Sequence, residues 1–227
     1  MRCCPRGLGR RIVPGAALVC LLVTAACYPG QIEGVDEPDV VLTVFDPSAA
    51  FGSFVTYAMP DTVIEVDAPG TDVLPTPELD QQVLDAVATE FAALGYTRVT
   101  PEATTAPDLI VLLSVSASEA PLWTDDPWWA LWGWFSGWSS WYPAWGADWV
   151  LRYPWAESYP GVRRPGTLLI TMIDPDHSGS EPQSIPVIWA SALDGLYTGS
   201  EASVVSRFQS LVRQAFEQSP YLHPDRP

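Results

Sequence analysis

The stretch Asp108-Leu109-Ile110-Val111-Leu112-Leu113-Ser114-Val115-Ser116 decides how the chain folds. A half-exposed strand alternates apolar and polar residues, whereas a strand buried on both faces reads as a near-continuous apolar run. Leu109–Leu113 is such a run, so this segment is expected in the middle of a sheet. Its neighbours follow from the same reading. Val40–Asp46 is rich in β-branched residues and ends at Pro47; Phe54–Ala58 is a second short strand, which Val63–Val66 extends. Thr97–Thr100 reads as a further short strand. Gly166–Asp174 and Ile185–Leu193 read as a hairpin across a turn-rich loop from Pro175 to Pro182.

Two segments have helical period instead. Thr76 is placed to cap a helix that has Pro77 in its first position and Glu78 and Asp80 in its first turn. Leu79, Val83, Leu84, Val87, Phe91 and Leu94 share one face, and Gly95 ends it. Residues 201–218 repeat the pattern with Val204, Val205, Phe208, Leu211, Val212, Ala215 and Phe216 inward, and Ser219-Pro220 stops them. Two amphipathic helices with about five strands in mostly hairpin-like order define an α+β fold. It is expected to be a two-layer sandwich, with both helices on one face of a mostly antiparallel sheet.

The amino terminus has a different character. Arg2, Arg6, Arg10 and Arg11 precede an uncharged, mostly apolar run from Ile12 to Ala26. A basic start and a short apolar stretch make a secretory signal, and the run is too short for a confident membrane span. It closes on Val23-Thr24-Ala25-Ala26-Cys27. Small residues before a cysteine resemble the lipobox of bacterial lipoproteins, in which the cysteine carries diacylglycerol and becomes the first residue after cleavage. Residues 1–26 are thus expected to be the signal, and 27–39 the lipidated Cys27 and a tether rich in Pro, Gly, Asp and Glu. Residues 40–222 form the domain, and 223–227 a tail. The other cysteines, Cys3, Cys4 and Cys20, leave with the signal, so the exported chain has no disulfide. Tyr28, rather than an acid, follows Cys27, which favours the outer membrane facing the periplasm.

Charge and motifs exclude several functions. The chain has 27 acidic and 11 basic residues, all arginine, and seven arginines remain after the signal. Nucleic-acid binding needs clustered cations, so no nucleic-acid partner is expected. The chain lacks a nucleophile elbow, a phosphate-binding loop and a paired-histidine metal motif. Asp174-Pro175-Asp176-His177-Ser178-Gly179 starts like a calcium loop, but Ile185 stands where its last carboxylate belongs. A polar turn is the better reading. No catalytic residue, metal or cofactor is expected, and the chain is not read as an enzyme.

Between Pro121 and Pro160 lie ten of the eleven tryptophans, and Pro127–Ala147 has no charge. Trp128, Trp129, Trp132, Trp134, Trp138, Trp141 and Trp145 form the candidate contact surface. Three readings stand side by side. The rings pack on one another and on the sheet; they enter a bilayer interface close to the lipid on Cys27; or they stack on envelope glycans, with Asp125, Asp126 and Asp148 accepting sugar hydroxyl protons.

Several residues carry a family likeness. Phe51–Ala58 reads Phe-x-x-Phe-x-Thr-Tyr-Ala, and the first helix ends on Leu94-Gly95-Tyr96. An Ala-Pro-Asp-Leu-Ile-Val strand opens at Ala106, and the aromatic insert follows. Then come Gly166-Thr167-Leu168 with Asp174, a strand with Trp189 and Ala190, and a closing helix before Ser219-Pro220. In this order they resemble the bacterial envelope lipoproteins of the domain of unknown function 4136 over residues 40–222. The family usually follows the late tryptophan with Arg-Gly; here Trp189-Ala190-Ser191 stands. The resemblance implies a two-layer α+β domain and a lipid anchor, and no catalytic residues. Its partners would be the membrane through Cys27 and an envelope protein or glycan.

Overall fold

The computed structural model describes residues 40–66, 77–127, 131–176, 182–194 and 201–224. The signal, Cys27, the tether, Thr76, Trp128, Trp129, His177 and residues 225–227 lie outside them.

The fold is α+β. Strand β5 (Leu109–Ser116) is central and buried along its whole length. It pairs antiparallel with β10 (Leu168–Ile173), which pairs antiparallel with β11 (Ser184–Leu193). On its far side β11 carries β1 (Val41–Phe45), antiparallel, and β8 (Val150–Arg152), parallel. Short parallel strands flank the other side of β5. These are β2 (Thr56–Ala58) and β3 (Ile64–Val66), with β4 (Thr97–Arg98) outside β2. The short strands depart from hairpin order because helix α1 (Pro77–Ala93) is the crossover between β2 and β4, and a crossover returns the chain parallel. A bulge between Met172 and Ile173 shifts the β10–β11 register, so Ile188 and Trp189 both enter the same core.

Alternate residues separate the two faces. Leu109, Val111, Leu113 and Val115 of β5, with Leu168, Ile170 and Met172 of β10, meet α1 and the closing helix α3 (Glu201–Glu217). Leu79, Val83, Leu84, Val87 and Phe91 of α1 are all at most 2% exposed. Phe91 ties the layers together: it stacks on Tyr57 at 4.6 Å and meets Phe216 of α3 edge-on at 5.2 Å. Tyr96 donates from its hydroxyl to the Leu222 carbonyl at 2.8 Å and so ties the segment after α3 to the turn that follows α1. Burial, followed by the Asp108 charge, pushes that hydroxyl far above its ordinary pKa, so it remains a donor.

Gly95 stops α1 as expected. Its φ is +95°, its N–H donates to the Ala92 carbonyl, and the Tyr96 N–H donates to that of Phe91. These are the two bonds of a Schellman close, which needs a left-handed residue. Space is not limiting, since nothing among the described residues lies within 4 Å of a Cβ built there. Gly95→Ala should therefore cost about 1 kcal/mol through backbone strain alone, read from the urea midpoint.

Asp108 locks β2 to β5. Desolvation would raise its carboxyl pKa. Hydrogen bonds from the Val55 N–H, the Thr56 N–H and the Thr56 hydroxyl outweigh that and hold it below its ordinary value. A depressed carboxyl contributes stability above its unfolded pKa and loses it as pH falls through the folded one. Asp108→Asn should remove this share of the pH dependence from acid unfolding curves.

Candidate functional site

The second sheet face belongs to the insert. Its ends are held together by a small ribbon, β6 (Ala120–Pro121) against β9 (Val162–Arg163). Within it β7 (Asp126–Pro127) pairs with β8 at the end of the main sheet. The helices therefore cover one face, as a two-layer sandwich requires, and an aromatic cap covers the other.

The cap has two clusters. Leu122, Trp123, Tyr153 and Trp155 lie over Val44, Leu169, Val187, Ala190 and Ala192. Trp123 is 5.4 Å from Tyr153 and edge-on to Trp155 at 6.4 Å. Small side chains below make room for the rings, which gives a packing role to the alanine after Trp189. The Trp123 and Trp155 indole N–H groups are buried and find no acceptor among the described residues. The Tyr153 hydroxyl meets that of Thr171 at 3.3 Å. Arg163 is also buried, and it donates from Nη2 to the Thr124 hydroxyl at 3.1 Å.

Trp132, Phe135 and Trp138 fill the second cluster over Ile110, Leu112, Leu151, Ile173 and Ile185. Trp138 opens out of the short helix α2 (Gly137–Trp141) and donates from Nε1 to the Trp132 carbonyl at 2.8 Å. Its ring is 4.6 Å from Phe135 and 6.2 Å from Trp141. Gly137 allows this approach, because a Cβ there would lie 2.5 Å from the Phe135 ring and 2.7 Å from the Trp141 ring. Two bonds fasten the cluster to the loop before β5: Trp141 Nε1 to the Ala103 carbonyl and the Tyr142 hydroxyl to the Pro107 carbonyl, both at 2.9 Å.

The seven candidate tryptophans thus divide. Trp132 and Trp138 are buried, Trp141 and Trp145 are partly buried, and Trp134 is 54% exposed; Trp128 and Trp129 lie outside the described residues. Among the described residues no helix is long and apolar enough to cross a membrane.

A rim remains open at the second cluster. Tyr142 stacks on Trp145 at 4.5 Å and 18°, and Trp145 continues to Trp149 at 5.9 Å. The three rings are partly exposed, and exposed Asp148 precedes the last. The rim is acidic: after burial, the charges of Asp176, Asp108 and Asp174 push the Tyr142 hydroxyl well above its ordinary value. Of the carboxylates expected to meet a ligand, Asp125 pairs with Arg152 at 3.3 Å. Tyr142, Trp149, Asp174 and Asp176 were not among the expected contact residues. The spacing of Tyr142, Trp145 and Trp149 at three and four was the available signal. Among the described residues no group of three or more His, Cys, Asp or Glu side chains is arranged for a metal ion.

A sheet covered by two helices on one face and by an aromatic cap on the other defines an α+β domain of the helix-on-sheet class. Residues 41–221 match the family described as domain of unknown function, DUF4136, and the chain belongs to that family. It is similar to a DUF4136 family protein from Bacteroides thetaiotaomicron, solved by crystallography. The identity is 27%, over 83% of this chain and all of that one, with a TM-score of 0.56. It is more distantly similar to PelC from Paraburkholderia phytofirmans, a dodecamer, at 13% identity over 79% of this chain and 95% of that one, with a TM-score of 0.38. A search of curated proteins found no match.

Proposed function

We propose that the chain is a lipid-anchored, non-catalytic protein of the bacterial envelope that acts as an interaction module. Diacylglycerol on Cys27 holds it, in the outer membrane facing the periplasm, and the open rim of the aromatic cap meets an envelope partner. The basic leader and the small residues before Cys27 support the anchor. The observation that carries the interaction role is the division within the insert, whose inner rings are consumed by packing while Trp134 and the Tyr142–Trp145–Trp149 stack keep exposed ring surface. Clustered exposed aromatic surface marks interaction sites.

A palmitate analogue with a clickable tag should label the wild-type protein in cells. Cys27→Ser should abolish the label and release the protein from the membrane fraction. Label retained on Cys27→Ser would end the anchor reading.

A second reading is a glycan-binding module. The near-parallel Tyr142–Trp145 pair favours it, because stacked flat rings beside carboxylates suit the apolar faces and hydroxyl rims of sugars. Tryptophan emission titrated with wall glycan fragments and, separately, with liposomes distinguishes the readings. A saturable change with glycans alone that Trp145→Ala removes supports the glycan role. Trp134→Ala should leave stability within about 0.5 kcal/mol, since its ring is largely solvated. That makes it a clean probe of contact.

A further inference from the structure

The outer edge of β1 is the feature that the aromatic cap leaves unused. Asp46 donates its N–H to the Ile188 carbonyl at 2.8 Å, and Asp194 donates its N–H to the Val40 carbonyl at 2.9 Å. With the register Val41–Leu193, Thr43–Ser191 and Phe45–Trp189, these bonds make the three pairs non-hydrogen-bonded. The main-chain N–H and C=O groups of Val41, Thr43 and Phe45 therefore point away from β11. Among the described residues no second strand pairs with them. The burial pattern agrees, since Val41, Leu42 and Thr43 are half-buried while β5, β10 and β11 are buried throughout.

Edge strands are usually protected by a charge, a proline or a bulge. Val40–Phe45 has none of these, and Val40 and Phe45 are exposed. At the Phe45 end the edge runs into an open groove of about 320 Å³ lined by Phe45, Pro47, Ala49, Phe51, Ser53 and Tyr221. Phe45 stacks on Tyr221 at 3.9 Å, and Phe51 lies 5.4 Å from Tyr221. An unpaired edge supplies main-chain hydrogen bonds, and an adjoining apolar groove takes a side chain.

We propose that β1 is a docking edge for an extended segment of a partner protein, which adds as a strand and puts an aromatic or large aliphatic side chain into the Phe45–Tyr221 groove. Charge selects this occupant. Asp39 and Asp46 bracket the uncharged stretch in a chain of net charge −16. The partner segment is therefore uncharged over about five residues, with Arg or Lys at each end. A second copy of this chain is disfavoured by charge, because it would bring an equally acidic chain to the same edge. The inference rests on the interaction-module reading and names a partner class for it, on a surface separate from the tryptophan rim.

The test uses the full chain in detergent micelles and the capped, fluorescently labelled peptide Arg-Val-Thr-Phe-Thr-Val-Arg. Fluorescence anisotropy should show saturable binding that weakens as salt is raised. Bound peptide should slow deuterium uptake over residues 40–46. Thr43→Pro removes the outward N–H, which edge strands tolerate, and the Thr43 hydroxyl that bonds Tyr221; it should weaken binding at least about tenfold, whereas Thr43→Val, which loses the hydroxyl alone, should bind like the wild-type protein. If that variant is less stable, a peptide N-methylated along one edge makes the same test on the wild-type protein and should lose binding. No binding at about 1 mM peptide, or equal binding by Thr43→Pro and by the N-methylated peptide, overturns the proposal. So does a Thr43→Pro-sensitive dimer of the protein alone that the peptide does not dissociate, which would make the occupant a second copy. None of these outcomes bears on the Cys27 label, so failure of the edge and failure of the anchored-module reading are distinguishable.

Discussion

Replacing Trp138 with alanine will destabilise the chain by about 3–5 kcal/mol, as deletion of a buried indole does elsewhere. For a domain of this size that is a fall of roughly 6–20 °C in the thermal midpoint, measured by circular dichroism. The ring is 1% exposed and lies among Trp132, Phe135, Ile110 and Leu112. Its removal opens a cavity that neighbouring rings cannot fill without leaving their own contacts. It also deprives the Trp132 carbonyl of its indole donor. Trp134, four residues earlier and more than half exposed, is the control; its alanine variant should unfold with the wild-type protein. Equal effects of the two variants would mean that the cap is not packed as described.

Trp189→Ala should cost as much or more. Trp189 is fully buried in β11, across from Phe45 on one side and Met172 on the other, with Phe216 of α3 at 5.7 Å. Its Nε1 donates to the Ser219 hydroxyl at 2.9 Å. The side chain therefore joins the sheet, the closing helix and the final turn. Alanine there loses the burial of a large ring and takes an indole donor from Ser219, and we expect a loss of about 4–5 kcal/mol or failure to accumulate folded protein. Trp189→Phe keeps most of the volume and drops the hydrogen bond. It should recover more than half of the loss, with equilibrium urea unfolding as the measure. A phenylalanine variant as unstable as the alanine variant would assign the effect to the hydrogen bond rather than to packing.

The two cores, one on each face of the sheet, were not equally legible. The helix-side core could be read because α1 and α3 repeat apolar residues at helical period. Val83, Leu84, Val87 and Phe91 fall in it, and Leu79 is fully buried. The unbroken apolar run of β5 announced a strand covered on both faces, and the second cover is the insert. Gly95 was legible because only a left-handed residue closes α1 as observed.

The insert resisted reading for a physical reason. An indole is apolar over its faces and polar at one atom, so an uncharged tryptophan-rich segment suits internal packing, a bilayer interface or a sugar equally well. Its burial depends on what comes to lie against it, and those partners are distant in sequence: Trp141 on Ala103, Tyr142 on Pro107, Trp155 over Val44. The parallel placement of β8 and the open edge of β1 are likewise non-local, since β11 accepts both along one side. The sequence by itself determined the α+β class, the two helices, the central strands and the stop at Gly95, because period and turn chemistry act over neighbouring residues. Only the tertiary structure decided which tryptophans are core and which are rim, and that β1 stands at an edge, because burial and strand pairing are settled by partners that the chain brings together from far apart.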